Sequence, residues 1–265
     1  MKPQDQSRSQ TLQQLSRMIE AVEDFRGADS HAVPTGWCEI DRALGDKGLR
    51  RDVVHEFFGP LAAETLGGGG SSPPPGGRGQ ADIRPAYLLS WLAGRAAAVA
   101  EGAVVWVGRQ CWPNPQTLAR AELLDRSLFV RAVKGADRLW AIELALRCVA
   151  VAAVVGDAEG FSLPATRRLE LAASRQGEAL VLLSRPGRER LLSSAAATRW
   201  AIYRRLGEGD RPAWTLELLR CKGRQVSLGR WPMEWDCAKG AVIISAPLGD
   251  RLPSTSRQAR QRHIG

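Results

Sequence analysis

Asp52-Val-Val-His-Glu-Phe-Phe-Gly-Pro60 is the stretch whose reading decides the fold. The apolar run Val53 to Phe58 reads as a strand buried on both faces, and Gly59-Pro60 reads as the turn that ends it. In a nucleotide-binding α/β protein a phosphate loop would follow, and then a helix. Here the turn runs into Leu61-Ala-Ala-Glu-Thr-Leu66 and then Gly67-Gly-Gly-Gly-Ser-Ser-Pro-Pro-Pro-Gly-Gly-Arg-Gly79, and the helical pattern resumes only near Pro85-Ala-Tyr-Leu-Leu-Ser-Trp-Leu. Consecutive glycines and prolines hold neither a helix nor a central strand, so 61–84 is expected to be a flexible surface insert in place of the phosphate loop.

Downstream, strands alternate with helices. Ala103 to Val107, Leu128 to Ala132, Val151 to Val155 and Ala179 to Leu183 are short apolar runs. Between them Thr117 to Asp125, Asp137 to Ala150 (with Leu139, Ile142, Leu146 and Val149 on one face) and Pro164 to Gln176 are patterned as helices. Short continuous apolar runs separated by helices mean strands covered on both faces, hence a mostly parallel sheet flanked by helices. Arg199 to Leu206, Trp214 to Lys222, Trp231 to Trp235 and Ala241 to Ser245 are strand-like with short turns between them, which predicts a C-terminal antiparallel extension. Upstream, Thr35 is expected to cap a short helix that carries Ile40 and Leu44 and stops at Gly45. Ser9 to Phe25 reads as a separate helix with Leu12, Leu15, Ile19 and Val22 on one stripe. The domain reading is therefore 1–33 for a tail and amphipathic helix, 34–249 for the α/β domain and 250–265 for a basic, disordered tail.

The 265 residues are 44% hydrophobic and 25% charged, ordinary for a globular protein, with a formal net charge of +9 supplied mostly by arginine. That balance favours acidic partners, nucleic acid first. Cys38, Cys111, Cys148, Cys221 and Cys237 show no CxxC spacing, and three of them lie in apolar patterned segments, as small core residues of a reducing compartment would. With three histidines, a Cys/His zinc site is not expected. Neither a signal peptide nor a membrane-spanning run is visible, so the expected location is cytoplasmic and nucleoid-associated.

Pro34-Thr-Gly-x-x-x-Ile-Asp-x-x-Leu-Gly45, followed by Gly48-Leu-x-x-x-x-Val-His-Glu-x-x-Gly-Pro60, resembles the opening of a RecA-type core. Val54-His-Glu-Phe-Phe-Gly59, Trp214-Thr-Leu-Glu-Leu-Leu-Arg-Cys-Lys-Gly223 and Trp231-Pro-Met-Glu-Trp-Asp236 are similar to the ImuA family, over about 34 to 249. The resemblance implies an accessory role in SOS-induced, error-prone bypass of DNA lesions. It implies as partners an ImuB-like Y-family polymerase relative and an error-prone polymerase subunit, with RecA and single-stranded DNA as further candidates, and no membrane.

A phosphate loop needs backbone amides around the phosphates, a lysine on the β and γ phosphates and a hydroxyl on magnesium. No lysine stands between Lys47 and Lys134. Arg78 and Arg84 come about twenty residues late and do not replace a lysine in so tight a loop. The position matching a recombinase's catalytic glutamate is Gln110, and an amide is no general base. Asp157 survives where a magnesium-binding carboxylate would sit, and a lone aspartate at a strand end is more often a cap or loop hydrogen bonder. The expectation is no nucleotide site after Gly59 and Pro60, no ATP hydrolysis and no cofactor. In RecA-type proteins the loops matching 159–168 and 185–197 face single-stranded DNA. Arg185, Arg188, Arg190, Arg199 and Trp200 are the candidate contacts, pairing phosphates and stacking bases. Leu12, Leu15, Ile19 and Val22 are the candidate partner-docking stripe. Trp200, Trp214, Trp231 and Trp235, mostly core by expectation, mark a second docking region with Arg204, Arg205 and the basic tail. The competing readings are a RecA-type ATPase with an aberrant loop and a SulA-like cell-division inhibitor, since SulA is also RecA-like without a phosphate loop.

Overall fold

The computed structural model describes residues 32–45, 47–60, 86–109, 113, 115–176, 178–205, 213–222, 229–236, 238–239 and 241–245. The expected helix at 9–25, the insert 61–84, Gln110 and the tail 250–265 lie outside the described residues. In chain order the elements are β1 (Ala32–Val33), α1 (Cys38–Ala43), β2 (Leu49–Arg50), β3 (Val54–Phe58), α2 (Ala86–Ala100), β4 (Ala103–Gly108), α3 (Pro115–Arg120), β5 (Ser127–Arg131), α4 (Gly135–Leu146), β6 (Val151–Asp157), α5 (Leu163–Gln176), β7 (Leu180–Arg185), β8 (Thr198–Arg205), β9 (Ala213–Cys221), β10 (Arg230–Asp236) and β11 (Ala241–Ile244).

Nine strands form one sheet in the order β11-β10-β9-β8-β3-β7-β6-β4-β5. The six from β5 to β8 are parallel, and β9 to β11 continue the sheet antiparallel. β8 was expected to open the antiparallel extension. It pairs parallel to β3 on one side and antiparallel to β9 on the other, so the change of direction falls one strand later. Apolar residues cover both faces. On one, α1 and α2 pack with Phe57, Trp106, Trp200 and the β9–β11 side chains. On the other, α4 and α5 pack with Val54, Val105, Val154 and Leu183. This is a three-layer α/β fold with RecA-like architecture.

β3 sits at the centre with all five residues buried, although its second and third residues are His55 and Glu56. Side chains alternate across a strand, so His55 and Phe57 point toward α2 while Val54, Glu56 and Phe58 point the other way. Each polar group therefore needs its own partner. His55 finds a chain. Trp200 Nε1–H donates to Thr198 Oγ1 at 2.7 Å, Thr198 Oγ1 lies 2.7 Å from His55 Nδ1, and His55 Nε2 lies 2.8 Å from the Arg50 carbonyl. A carbonyl only accepts, so Nε2 carries the proton and Nδ1 accepts from the threonine. Burial pushes the His55 pKa down to about 4, which keeps the ring neutral.

Several local expectations shift for physical reasons. The helix after Thr35 starts later, at Cys38. Thr35 instead holds Asp41, its amide and hydroxyl donating to Oδ1 at 2.9 and 2.7 Å. α4 ends at Leu146 because Arg147 and Cys148 tighten into a turn that feeds Val151 into β6, which leaves Val149 78% exposed and off the core face. α5 begins at Leu163, so most of the expected loop 159–168 is helix. Cys38 and Cys148 are exposed and Cys221 is half-buried, rather than all core. Trp200, Trp214 and Trp235 are core side chains and Trp231 packs against that core, whereas among the described residues the exposed tryptophan is Trp140 of α4. Among the described residues no helix is long and apolar enough to cross a membrane, and no three His, Cys, Asp or Glu side chains converge as metal ligands.

Candidate functional site

Ligands of open parallel sheets bind outside the carboxyl ends of the strands. In this protein that rim is built by the ends of β3, β4, β6 and β7, and the protein's own charged side chains occupy it.

The centre is Glu56. Its Oε1 accepts from Arg185 Nη1 at 2.8 Å and from Ser194 Oγ at 2.7 Å, and its Oε2 accepts from Arg199 Nε at 3.0 Å. The register explains the meeting: Glu56 lies opposite Arg199 of β8, and Phe58 opposite Arg185 of β7. Arg185 also donates through Nε and Nη2 to Glu189 Oε2 at 2.9 and 2.8 Å, and through Nη2 to the Phe161 carbonyl at 2.9 Å. The other Glu189 oxygen accepts the Gly160 amide at 3.0 Å. Both guanidinium groups lie over the Phe58 ring, at 5.9 and 4.7 Å. The side chains of Arg185 and Glu56 are wholly buried, and two carboxylates balance two guanidinium groups. Burial lowers the Arg199 pKa, and the charge and hydrogen bond of Glu56 oppose that shift. Arg185 uses all three of its guanidinium nitrogens in these bonds, whereas Arg199 Nη2 is buried with no hydrogen-bond partner among the described residues.

Around this lock the loops are tied to the sheet. Arg138 of α4, itself buried, donates to the carbonyls of Val133, Asp157 and Glu159 at 2.6 to 2.9 Å. Arg220 of β9 donates to the carbonyls of Ser194 and Ala196 at 3.0 and 2.7 Å. Asp157 Oδ1 accepts the Glu159 amide at 3.2 Å, a loop hydrogen bond beside the position where a magnesium ligand was considered. Outside β4 and β6, where the chain turns outward from one strand and inward from the other, Glu159 sits between Arg109 (3.2 Å) and Arg188. Arg190 stacks on Tyr203, 4.8 Å from its centroid, and reaches toward the Gly59 carbonyl at 3.5 Å, at the start of the would-be phosphate loop.

The five candidate DNA contacts thus do not form one surface. Arg185, Arg199 and Trp200 are buried in the fold, where phosphates and bases cannot reach them, so their assignment is corrected to structural roles. Arg188 is exposed, with 68% of its side chain accessible, and Arg190 is half-buried. Leu12, Leu15, Ile19 and Val22 lie outside the described residues. Sequence reasoning missed Glu56, Glu189, Ser194, Arg138 and Glu159. One signal was available: a carboxylate inside a strand buried on both faces demands a basic partner.

The strand order, central β3 and helix-covered faces define the class as RecA-like α/β proteins. Protein ImuA of Caulobacter vibrioides, from strain NA1000 / CB15N and from strain ATCC 19089 / CIP 103742 / CB 15, is 39% identical to this chain over 139 residues, 46% of this chain and 57% of each relative. No family model matches the chain. The chain spans a little over half the length of the curated relatives it matches.

Proposed function

We propose that the protein is a non-catalytic, RecA-like accessory factor of SOS-induced, error-prone translesion synthesis, which recruits or regulates polymerase partners on damaged DNA. The observation that carries this reading is the Glu56–Arg185–Glu189–Arg199 lock beside β3. Arginine charge that could meet a nucleotide's phosphates is consumed by buried carboxylates, and the chain has no lysine between Lys47 and Lys134. The likeness to Protein ImuA over 139 residues supports the translesion context. An ImuB-like polymerase relative, an error-prone polymerase subunit and RecA are the proposed protein partners. The proposed contact with single-stranded DNA rests on Arg188 and Arg190, the two candidates not buried in the core.

The test is ATP binding and turnover by the full chain, with and without single-stranded DNA. The expected result is neither. DNA-stimulated hydrolysis lost in Asp157→Ala would instead make it an ATPase with an aberrant loop. Capture of ImuB rather than the division protein FtsZ from one extract separates the accessory role from a SulA-like one.

A further inference from the structure

α4 and α5 pack side by side on one face of the sheet and leave a groove between them of about 480 Å3. Its walls include Glu143 of α4, Arg147 just past its end, and Arg167, Arg168, Leu171 and Arg175 of α5. Arg167, Leu171 and Arg175 recur every four residues, one stripe along α5. Leu171 is 54% exposed, too open for a satisfied core leucine. Glu143 takes Arg168 and, at 2.8 Å, Arg147, so among the described residues Arg167 and Arg175 have no carboxylate partner. Four guanidinium groups against one carboxylate leave the groove with a charge of +3. It has an aliphatic floor and no aromatic ring on which a base could stack. The chemistry fits a short acidic segment with aliphatic anchors.

The chain contains such a segment. Residues 9–25 hold Glu20, Glu23 and Asp24 against the single Arg17, a net charge of −2 in a protein of +9. Wound as a helix, the segment presents Leu12, Leu15, Ile19 and Val22 as one stripe, with Glu23 and then Glu20 along one flank and Asp24 on the far face. Its length as a helix, ~26 Å, matches the ~21 Å of α5. The tether is short enough. Ala32 pairs with Arg50 on the α2 face of the sheet, where Val33 is core, and the neighbouring Arg51 reaches to 3.7 Å from Glu178, two residues past the end of α5, so residues 26–31 must round that end of the sheet to reach the Arg175 end of the groove. The six residues 26–31 reach about 20 Å when extended.

We infer that the groove between α4 and α5 is the seat of the chain's own residues 9–25, held by Leu12, Leu15, Ile19 and Val22 on Leu171 and by Glu20 and Glu23 on Arg167 and Arg175. The stripe is the one considered for partner docking, so a partner would have to release it first. The test involves no partner, so it stands or falls apart from the accessory role. Amide hydrogen exchange is measured on the full chain, on Arg167→Glu/Arg175→Glu and on Leu15→Asp/Ile19→Asp. Amides of 9–25 exchange at least about tenfold more slowly in the native chain than in either variant. Adding Glu20→Arg/Glu23→Arg to the arginine reversal restores the protection. Protection that the arginine reversal leaves untouched, or random-coil exchange of 9–25 in the native chain, overturns the inference. Protection that grows with protein concentration assigns the groove to a second copy and overturns the intramolecular seat. Free exchange together with arginine-dependent binding of a labelled single-stranded oligonucleotide makes the groove a nucleic-acid surface and overturns it equally.

Discussion

Glu56 and Arg185 show what a single position can and cannot announce. A carboxylate in a strand with no exposed residue has to be paired, because an isolated buried charge costs several kcal/mol. Its partners were not legible, because they come from β7, β8 and the intervening loop, and only the parallel register brings them to β3. Glu56→Ala leaves Arg185 and Arg199 with one carboxylate fewer between them. It is expected to lower unfolding free energy by about 3–5 kcal/mol, read from urea midpoints at constant slope. The arginines of one loop likewise look alike in sequence and differ in the fold. Arg185→Ala is expected to destabilise by a similar amount. Arg188→Ala, on an exposed side chain held by Glu159, should change stability by less than about 0.5 kcal/mol. Under the proposed DNA contact, Arg188→Ala also weakens salt-sensitive binding of single-stranded DNA, measured by fluorescence anisotropy. An affinity equal to that of the native chain would remove Arg188 from the interface.

At the scale of elements, the apolar runs predicted the parallel strands to within a residue or two, because burial on both faces forces nearly every residue of such a strand to be apolar, although β5, at the sheet edge, was expected to be covered and leaves Leu128, Phe129 and Val130 exposed. Ends were less legible, since they depend on what the chain does next. Val149 fits the apolar stripe of α4 by spacing, but the turn into β6 comes first. The tryptophans are mostly core, as expected, and only Trp200 was misassigned as a base-stacking contact, for a related reason. Trp200 stacks on Phe57, 6.0 Å between centroids, and Trp214 on Tyr87 at 6.4 Å, rings that meet only when β8 and β9 close over α2 and β3. One element was decided by a single glycine. Gly48 sits at φ +89°, and a Cβ there would lie 2.2 Å from the Val33 carbonyl oxygen, so the β1–β2 pair closes only with glycine. Gly48→Ala should cost on the order of 2–3 kcal/mol and open the β1–β2 pair first, seen as faster amide exchange at Val33 and Leu49 while β6 and β7 stay protected.

For the whole molecule, a RecA-like sheet was readable because hydrophobic period and strand–helix alternation are properties of many residues at once, whereas the charged rim is a property of a few that are distant in sequence. The same long-range closure sets how stability depends on pH. Two groups on opposite faces of β3 act in opposite senses. His55, with a pKa pushed by burial from 6.5 to about 4, favours the folded state fully above 6.5, and that contribution is lost as pH falls toward 4. Glu170 of α5 has its pKa raised from 4.5 to about 7, with burial the main cause and the Val54 amide, donating to its Oε2 at 2.8 Å, opposing. Its contribution is fully present below 4.5 and is lost as pH rises through 7. Each shift corresponds to about 3 kcal/mol at the far end of its window. Between 4.5 and 6.5 the unfolded chain holds the extra proton on the histidine while the folded chain holds the extra proton on the glutamate, so the two slopes cancel. Glu170→Gln keeps an oxygen for the Val54 amide and removes only the titration. The stability difference between Glu170→Gln and the native chain should therefore be small at pH 4.5, grow with pH and level off above pH 7 near 2–3 kcal/mol in favour of the variant. Urea unfolding of both chains from pH 4.5 to 8 measures it. A difference independent of pH would mean that Glu170 is ionised in the folded protein throughout, with its charge solvated from the open end of the sheet.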